Sequence, residues 1–333
     1  MRVGIMSFAH IHAEGFVGNL RAIPDVELVG FSDEDAGRAA RAATAFELRR
    51  FDRHEDLLDA GVDAVLVCAE NARRRELVEL AAAARVHVLC EKPIEATLAD
   101  AEAMRVACEA AGVTFMTAFP MRFDASVAAV KRSLDRGELG ALHAVNGINH
   151  SEIPNGHRAW FADPELAGGG AVMDHTVHLT DLLRWMTGSE VTEVYAEVGN
   201  PFYPDDVEVD TAGLVTLTFA NGVFAAVDCS WSRPTTYPRW GHLKMDLIGE
   251  RGALTVDAFA QALTAYSRHL PRNPTWIGWG ADPNQAMVEE FVESVAEGRP
   301  PAVTWRDGYE ALRVALACYA SAASGQPVRL DHG

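Results

Sequence analysis

The chain has 333 residues and a formal net charge of −18, from 29 Lys plus Arg against 47 Asp plus Glu. With 49% hydrophobic and 23% charged residues it falls in the ordinary globular range, which excludes disorder, collagen and coiled coil. At this length a single core stops growing, so two domains are expected. The acidity repels a phosphate backbone, and no nucleic-acid partner is expected. No apolar run reaches the roughly 18 residues that a spanning helix needs, so no membrane partner is expected either. Cys68, Cys90, Cys108, Cys229 and Cys318 are odd in number and scattered, the pattern of reduced thiols in a cytoplasmic protein. The opening MRVGIMSFAHIHAEG is too short and polar for a signal peptide.

Taken in order, the residues predict strands over 3–8, 26–32, 64–68, 86–90 and 113–119. Helices over 12–22, 35–46, 72–84 and 98–111 alternate with them. Short apolar strands separated by helices mean right-handed βαβ units and a doubly wound parallel sheet. After Pro120 the pattern changes. A helix over 125–136 precedes strand-like runs over 141–149, 191–198, 212–219, 223–231, 243–248 and 253–256. Asn221-Gly222 marks a hairpin with both turn residues at positive φ, and Glu250-Arg251-Gly252 marks another. Helices over 284–297 and 306–321 close the chain. The fold class is therefore α/β: a Rossmann domain over 1–120 and an α+β domain over 121–333 with a mostly antiparallel open sheet.

The first strand runs into Gly4-Ile5-Met6-Ser7-Phe8-Ala9-His10-Ile11-His12. In a dinucleotide-binding turn three glycines allow the bend, the diphosphate approach and the helix packing. Here Ser7, Ala9 and His12 stand in their places, but a helix N-terminus follows and can still favour an anion. Asp33 ends the second strand, where a carboxylate accepts from adenine-ribose hydroxyls and repels a 2′-phosphate, favouring NAD over NADP. It could instead cap the helix over 35–46. His10 and His12 lie at i and i+2, a spacing that lets two imidazoles share a metal.

Only three lysines occur, Lys92, Lys131 and Lys244. Lys92 ends the fourth strand in Val88-Leu89-Cys90-Glu91-Lys92-Pro93, at the sheet edge where α/β ligands bind. Its ammonium can hydrogen-bond a substrate hydroxyl. Further on, Gly168-Gly169-Gly170 leads into a helix on which Asp174, His178, Asp181 and Trp185 share one stripe. Asp174 and His178 are i, i+4 neighbours, so the carboxylate is expected to orient the imidazole as a general base. His175 widens the cluster, but spacing gives no tetrahedral set and no metal residue is assigned.

Glu91-Lys92-Pro93, Gly168-Gly169-Gly170 and Asp174-x-x-x-His178-x-x-Asp181 together resemble the Gfo/Idh/MocA family over nearly the whole chain. Asn71, Arg122, Trp231, Ile248-Gly249-Glu250-Arg251-Gly252 and Ser321-x-x-x-Gly325-x-Pro327-Val328 match its positions. The resemblance implies nicotinamide-dependent redox at a carbinol of a sugar, cyclitol or related polyol. It implies Lys92 on the reacting hydroxyl, His178 as acid/base and Asp174 orienting it. The dinucleotide, NAD rather than NADP, is expected against Ser7, Phe8, Ala9, His10, Ile11, Asp33, Arg38, Asn71, Glu91 and Lys92. The family's Thr-Pro-Asn-x-x-His reads Ala69-Glu70-Asn71-Ala72-Arg73-Arg74, which brings new charge to that region. Arg122, His150, His157, Arg158 and Trp160 are the expected substrate contacts. The open face of the second sheet implies a homodimer or homotetramer. Two other chemistries are weighed beside this one: an NAD-dependent glycosidase or lyase using transient oxidation, and a metal-dependent hydrolase built on His10, His12, His175 and His178. A binding protein without catalysis is a further alternative.

Overall fold

A computed structural model of the chain describes residues 1–332. The first sheet has the order β3-β2-β1-β4-β5-β6, all parallel. Its strands are β1 (Arg2–Met6), β2 (Glu27–Ser32), β3 (Arg50–Phe51), β4 (Ala64–Val67), β5 (His87–Cys90) and β6 (Phe115–Thr117). Helices α1 (His12–Ala22), α2 (Ala36–Phe46), α3 (His54–Asp59), α4 (Arg74–Ala83) and α5 (Leu98–Ala111) cover its faces. The strands are buried on both sides, so they read as unbroken apolar runs. The chain reverses strand order between β1 and β4, and ligands of such sheets bind outside the strand ends at that point. The expected order of elements holds, except that β3 and α3 escaped the sequence reading.

Helix α6 (Ala125–Asp135) leads to a second sheet of order β12-β11-β7-β10-β9-β8-β15. Its strands are β7 (Leu142–Ser151), β8 (Val191–Gly199), β9 (Ala212–Phe219), β10 (Phe224–Ser230), β11 (Gly241–Gly249), β12 (Gly252–Asp257) and, after a small hairpin of β13 (Ala262–Ala265) and β14 (Thr275–Gly278), β15 (Val328–Arg329). Among the described residues of this sheet only β7 and β10 pair in parallel. The short α7 (Pro164–Ala167) precedes α8 (Ala171–Thr187), which packs on the buried face with α10 (Trp305–Ser324). Strand β9 alternates buried and exposed residues, leaving the other face open. The Asn221-Gly222 hairpin forms, but only Gly222 is left-handed (φ 87°), because Asn221 bonds back to Thr187 and Ser189.

The closing segment returns to the first sheet. Met287, Val288 and Phe291 of α9 (Pro283–Glu297), with Leu312 and Ala315 of α10, join the core beneath β1 to β6. A buried ion network ties this segment to α8. Arg122 donates to Asp181 at 2.8 and 2.5 Å and to Asp307 at 2.9 Å, while Arg184 reaches Asp307 at 3.2 Å. Burial lifts Asp181 to about 6 even beside Arg122. Arg122 therefore holds the fold together and does not line the cavity described below, contrary to the substrate role expected for it. Substituting Arg122 by Ala leaves Asp181 without its main partner and should cost about 3–5 kcal/mol in urea unfolding. Variant that still folds should keep the wild-type KM; a raised KM with an unchanged midpoint would restore the substrate contact.

Candidate active site

The turn after β1 bends without its usual glycine. Ser7 adopts the left-handed conformation itself, with φ 69°, and its Oγ accepts from the Ala9 N–H at 3.2 Å. Most other N–H groups of the turn are also spent within the chain. Ser7 donates to Ser32 O at 2.8 Å, Phe8 to Asp33 at 2.7 Å and His10 to Cys68 O at 2.8 Å. His12 donates to His10 Nδ1 at 3.2 Å. The helix α1 end keeps its dipole, but most of the amides that would grip a diphosphate already have partners.

Asp33 lies where a ribose contact is expected, yet its side chain is fully covered. It accepts from Phe8, from the Asp35 N–H at 2.8 Å and from Arg38 Nε at 2.8 Å. It does not cap α2, since Asp35 does that. Arg38 lies over Asp33 and also faces Glu34 at 3.3 Å, Glu70 at 3.4 Å and Ser7 at 3.4 Å. A ribose would meet Asp33 only once Arg38 moves aside. Three carboxylates around one guanidinium leave it little charge to offer a 2′-phosphate.

Arg158 and Trp160, expected on the substrate, instead fasten the following loop to the turn. Arg158 Nε and Trp160 Nε1 donate to Ala9 O at 3.1 and 3.0 Å, and Arg158 pairs with Glu14 at 2.5 Å. Trp160 stacks on Phe161 with ring centres 4.0 Å apart, and both pack on Ala9. Asn71 Nδ2 donates to Ala167 O at 2.8 Å.

The catalytic candidates come from both sheets. Lys92, just past β5, reaches across to Asp174 in the first turn of α8 at 2.7 Å. The expected Asp174–His178 pair does not form. Asp174 spends one oxygen on Lys92 and turns the other to His175 Nε2 at 3.3 Å and Trp231 Nε1 at 3.4 Å. Burial alone would raise its pKa, but the Lys92 ammonium and His175 outweigh that and hold it well below the usual range. His178 Nδ1 is buried with no hydrogen-bond partner among the described residues. Burial, then the Lys92 charge, keeps His178 well below its ordinary 6.5, so the imidazole is neutral at neutral pH.

The placement of α8 depends on residues that no spacing signalled. Asp210 accepts from the N–H groups of Gly170 at 2.8 Å and Val172 at 2.7 Å, and Tyr319 donates to it at 2.7 Å. A side chain on Gly169 would put its Cβ 2.1 Å from the Tyr319 hydroxyl, and one on Gly170 would stand 1.9 Å from Asp210 O. Gly169 and Gly170 let the helix start against this pair, while Gly168 lies against Ala96.

Lys92, Asp174 and His178 open on a cavity of about 640 Å³, which His10, His12, His150, His157, His175, His242 and Trp240 also line. Of the expected substrate contacts, His150 and His157 face this space, whereas Arg122, Arg158 and Trp160 do not. His150 is held by Asp228 at 3.0 Å and by Arg233 at 3.2 Å. His242 and Asn149 were not singled out by the sequence. The four-histidine metal set does not assemble: His10 and His12 gather with Glu91, while His175 serves Asp174 and Ser151. A nicotinamide dinucleotide fits the strand ends beside this cavity, where Asn71 Oδ1 and Glu70 Oε2 are buried polar atoms without protein partners.

Comparison with known proteins agrees with this architecture. Residues 1–119 match the model of an oxidoreductase family with an NAD-binding Rossmann fold, and residues 127–255 match the GFO/IDH/MocA C-terminal domain. The chain is 30% identical to myo-inositol 2-dehydrogenase of Thermotoga maritima, with 99% of each chain covered. It is also 30% identical to D-xylose 1-dehydrogenase (NADP(+)) 2 of Haloferax volcanii, covering 99% of this chain and 100% of the relative. Among solved structures, GenD2 from gentamicin A biosynthesis in complex with NAD superposes with a TM-score of 0.90 at 25% identity, covering 100% and 97% of the two chains. With both halves matched and this likeness running end to end, the chain belongs to the Gfo/Idh/MocA family of NAD(P)-dependent oxidoreductases.

Proposed function

We propose that the protein oxidises a secondary hydroxyl of a sugar, cyclitol or related polyol, or reduces the matching ketone, with NAD as the preferred cofactor. The observation that carries this reading is the meeting of Lys92 and His178 in one cavity, with Asp174 gripping the ammonium rather than the imidazole. When bound, the nicotinamide supplies the two-electron acceptor. Lys92 donates a hydrogen bond to the reacting oxygen and stabilises the charge that builds there. His178 is neutral and takes the hydroxyl proton. Asp174 fixes where the ammonium points. His150 and His157 hold the remaining hydroxyls through their ring nitrogens.

The inositol and xylose dehydrogenases among the relatives support a polyol, as does a cavity lined by several imidazoles and the rings of Phe161, Trp240 and Phe259. Leu214, Phe224 and Ile248 are exposed on the open face of the second sheet, and we assign a homodimer or homotetramer contact to that face. The five cysteines are buried free thiols, in keeping with the cytoplasmic location we assign. No helix among the described residues is long and apolar enough to cross a membrane.

A panel of inositols, pentoses and hexoses with NAD, followed by reduced-nicotinamide absorbance, tests the reaction. Oxidation should fall as acid protonates His178, with the acid limb of kcat below pH 6.5 because its pKa is lowered. His178→Gln should remove that limb and lower kcat by about 10²- to 10⁴-fold. Absence of turnover across the panel, or an unchanged limb in the variant, contradicts the assignment. For the cofactor, Glu70→Gln with Glu34→Gln should free Arg38 and shift the NAD-to-NADP affinity ratio toward NADP by about tenfold, near 1.4 kcal/mol. Calorimetry with both dinucleotides reads this, and equal changes in the two affinities would count against it.

A further inference from the structure

Where a dinucleotide-binding turn carries its third glycine, this chain has His12, the first residue of α1. The ring is held by Glu91, which follows β5 and is 1% exposed. The Lys92 N–H donates to one Glu91 oxygen at 3.0 Å, and the other oxygen lies 2.9 Å from His12 Nδ1. Burial alone would raise the Glu91 pKa, but the neighbouring imidazoles and Lys92 hold it well below the usual carboxylate range, so it is ionised and accepts. His10 does not supply that hydrogen bond. Its Nδ1 lies 3.9 Å away and already accepts from the His12 N–H at 3.2 Å. The donor to Glu91 is therefore His12 Nδ1–H, which leaves the lone pair of the neutral ring on Nε2. Among the described residues that nitrogen has no hydrogen-bond partner, and the ring lines the same cavity as Lys92, Asp174 and His178.

Oxidation of a hydroxyl releases one proton per turnover, and His178 is badly placed to keep it. Asp174 is engaged by Lys92, His178 Nδ1 is buried without a partner, and burial and then the Lys92 charge oppose a second proton on the ring. A charge on His12 acts on His178 in the same sense, so a proton handed to His12 is not readily returned. His12 also joins two features that the other imidazoles of the cavity do not: a carboxylate behind one nitrogen and access to solvent. Its side chain is 36% exposed, whereas His10, His150, His175 and His242, which also lie near carboxylates, are 2, 12, 7 and 13% exposed. We propose that His12, backed by Glu91, is the proton outlet of the site, carrying the hydroxyl proton from His178 to solvent while the hydride goes to the nicotinamide. An N–H bond breaks at His178 and one forms at His12 Nε2, with cavity water spanning the gap. Glu91 stabilises the imidazolium, and loss of its Nε2 proton to bulk water returns both rings to neutral. Ketone reduction runs the same path inward. The inference rests on the polyol reading, which supplies the proton to be moved.

The test uses the full-length enzyme with NAD and the polyol it oxidises fastest. His12→Gln keeps a donor for Glu91 but cannot carry a proton. It should melt near the wild-type temperature and keep the wild-type KM and NAD dissociation constant, while kcat falls by about 10²-fold. Added imidazole should raise the kcat of the variant in proportion to its concentration and leave wild type unchanged. Glu91→Gln, which keeps His12 and withdraws the charge behind it, should show a smaller loss and serves should His12→Gln fail to fold. Nitrogen-15 spectra of the wild-type imidazoles need no substrate and should show His12 as the Nδ1–H tautomer. An unchanged kcat in both variants, a loss that imidazole does not restore, a loss expressed through NAD affinity, or His12 as the Nε2–H tautomer would each overturn the proposal. Wild type that oxidises no polyol would strike the reaction itself, a failure seen before any substitution is made.

Discussion

The site depends on one ion pair, Lys92 to Asp174, formed between the end of a parallel strand and the first turn of a helix on the other sheet. The two charges lie 82 positions apart in sequence and 2.7 Å apart in space. Both side chains are largely withdrawn from water, so each needs the other, and breaking the pair strands a charge in a poorly solvated place. The pair fixes an ammonium at the mouth of the cavity and frees His178 from a carboxylate partner. In the proposed reaction one group then serves as donor and the other as acceptor, with their environments set apart by the same lysine.

Everything around the pair holds α8 in place. Asp210 and Tyr319 receive its N-terminus, the glycines let it approach them, and Arg122 clamps its far end through Asp181. The closing segment also packs on the first sheet, so the two halves share a core instead of meeting at a hinge. The strap carrying Trp160 and Arg158 seals the turn after β1. Three of the histidines in the cavity are held by different neighbours: His150 by Asp228, His242 by Asp257 and His175 by Asp174.

Much of this was legible in the residues. Unbroken apolar runs marked five strands of the first sheet, and the Glu91-Lys92-Pro93 and Gly-Gly-Gly segments marked the edge and helix start that build the site. What escaped was short or tertiary. Strand β3 has two residues, too few to carry a period. The i, i+4 spacing put Asp174 beside His178 correctly on the helix surface, but a lysine from another element competes better for the carboxylate, and spacing cannot see it. Arg122 matched a family position, yet buried aspartates on two helices, not a substrate, explain it. Asp33 stands at the strand end as read, but Arg38 covers it, because Asp33 itself at 2.8 Å, and then Glu70 and Glu34, hold the guanidinium there.

The competing assignments for Asp174 are separated by a double-mutant cycle on kcat with Lys92→Ala, Asp174→Asn and His178→Gln in pairs. If Asp174 acts by holding the ammonium, Lys92→Ala and Asp174→Asn together should cost little more than the worse of the two alone. The Asp174→Asn and His178→Gln effects should then multiply. Multiplying losses for the lysine pair, with the non-additivity found between Asp174 and His178, would show that the carboxylate serves the imidazole after all.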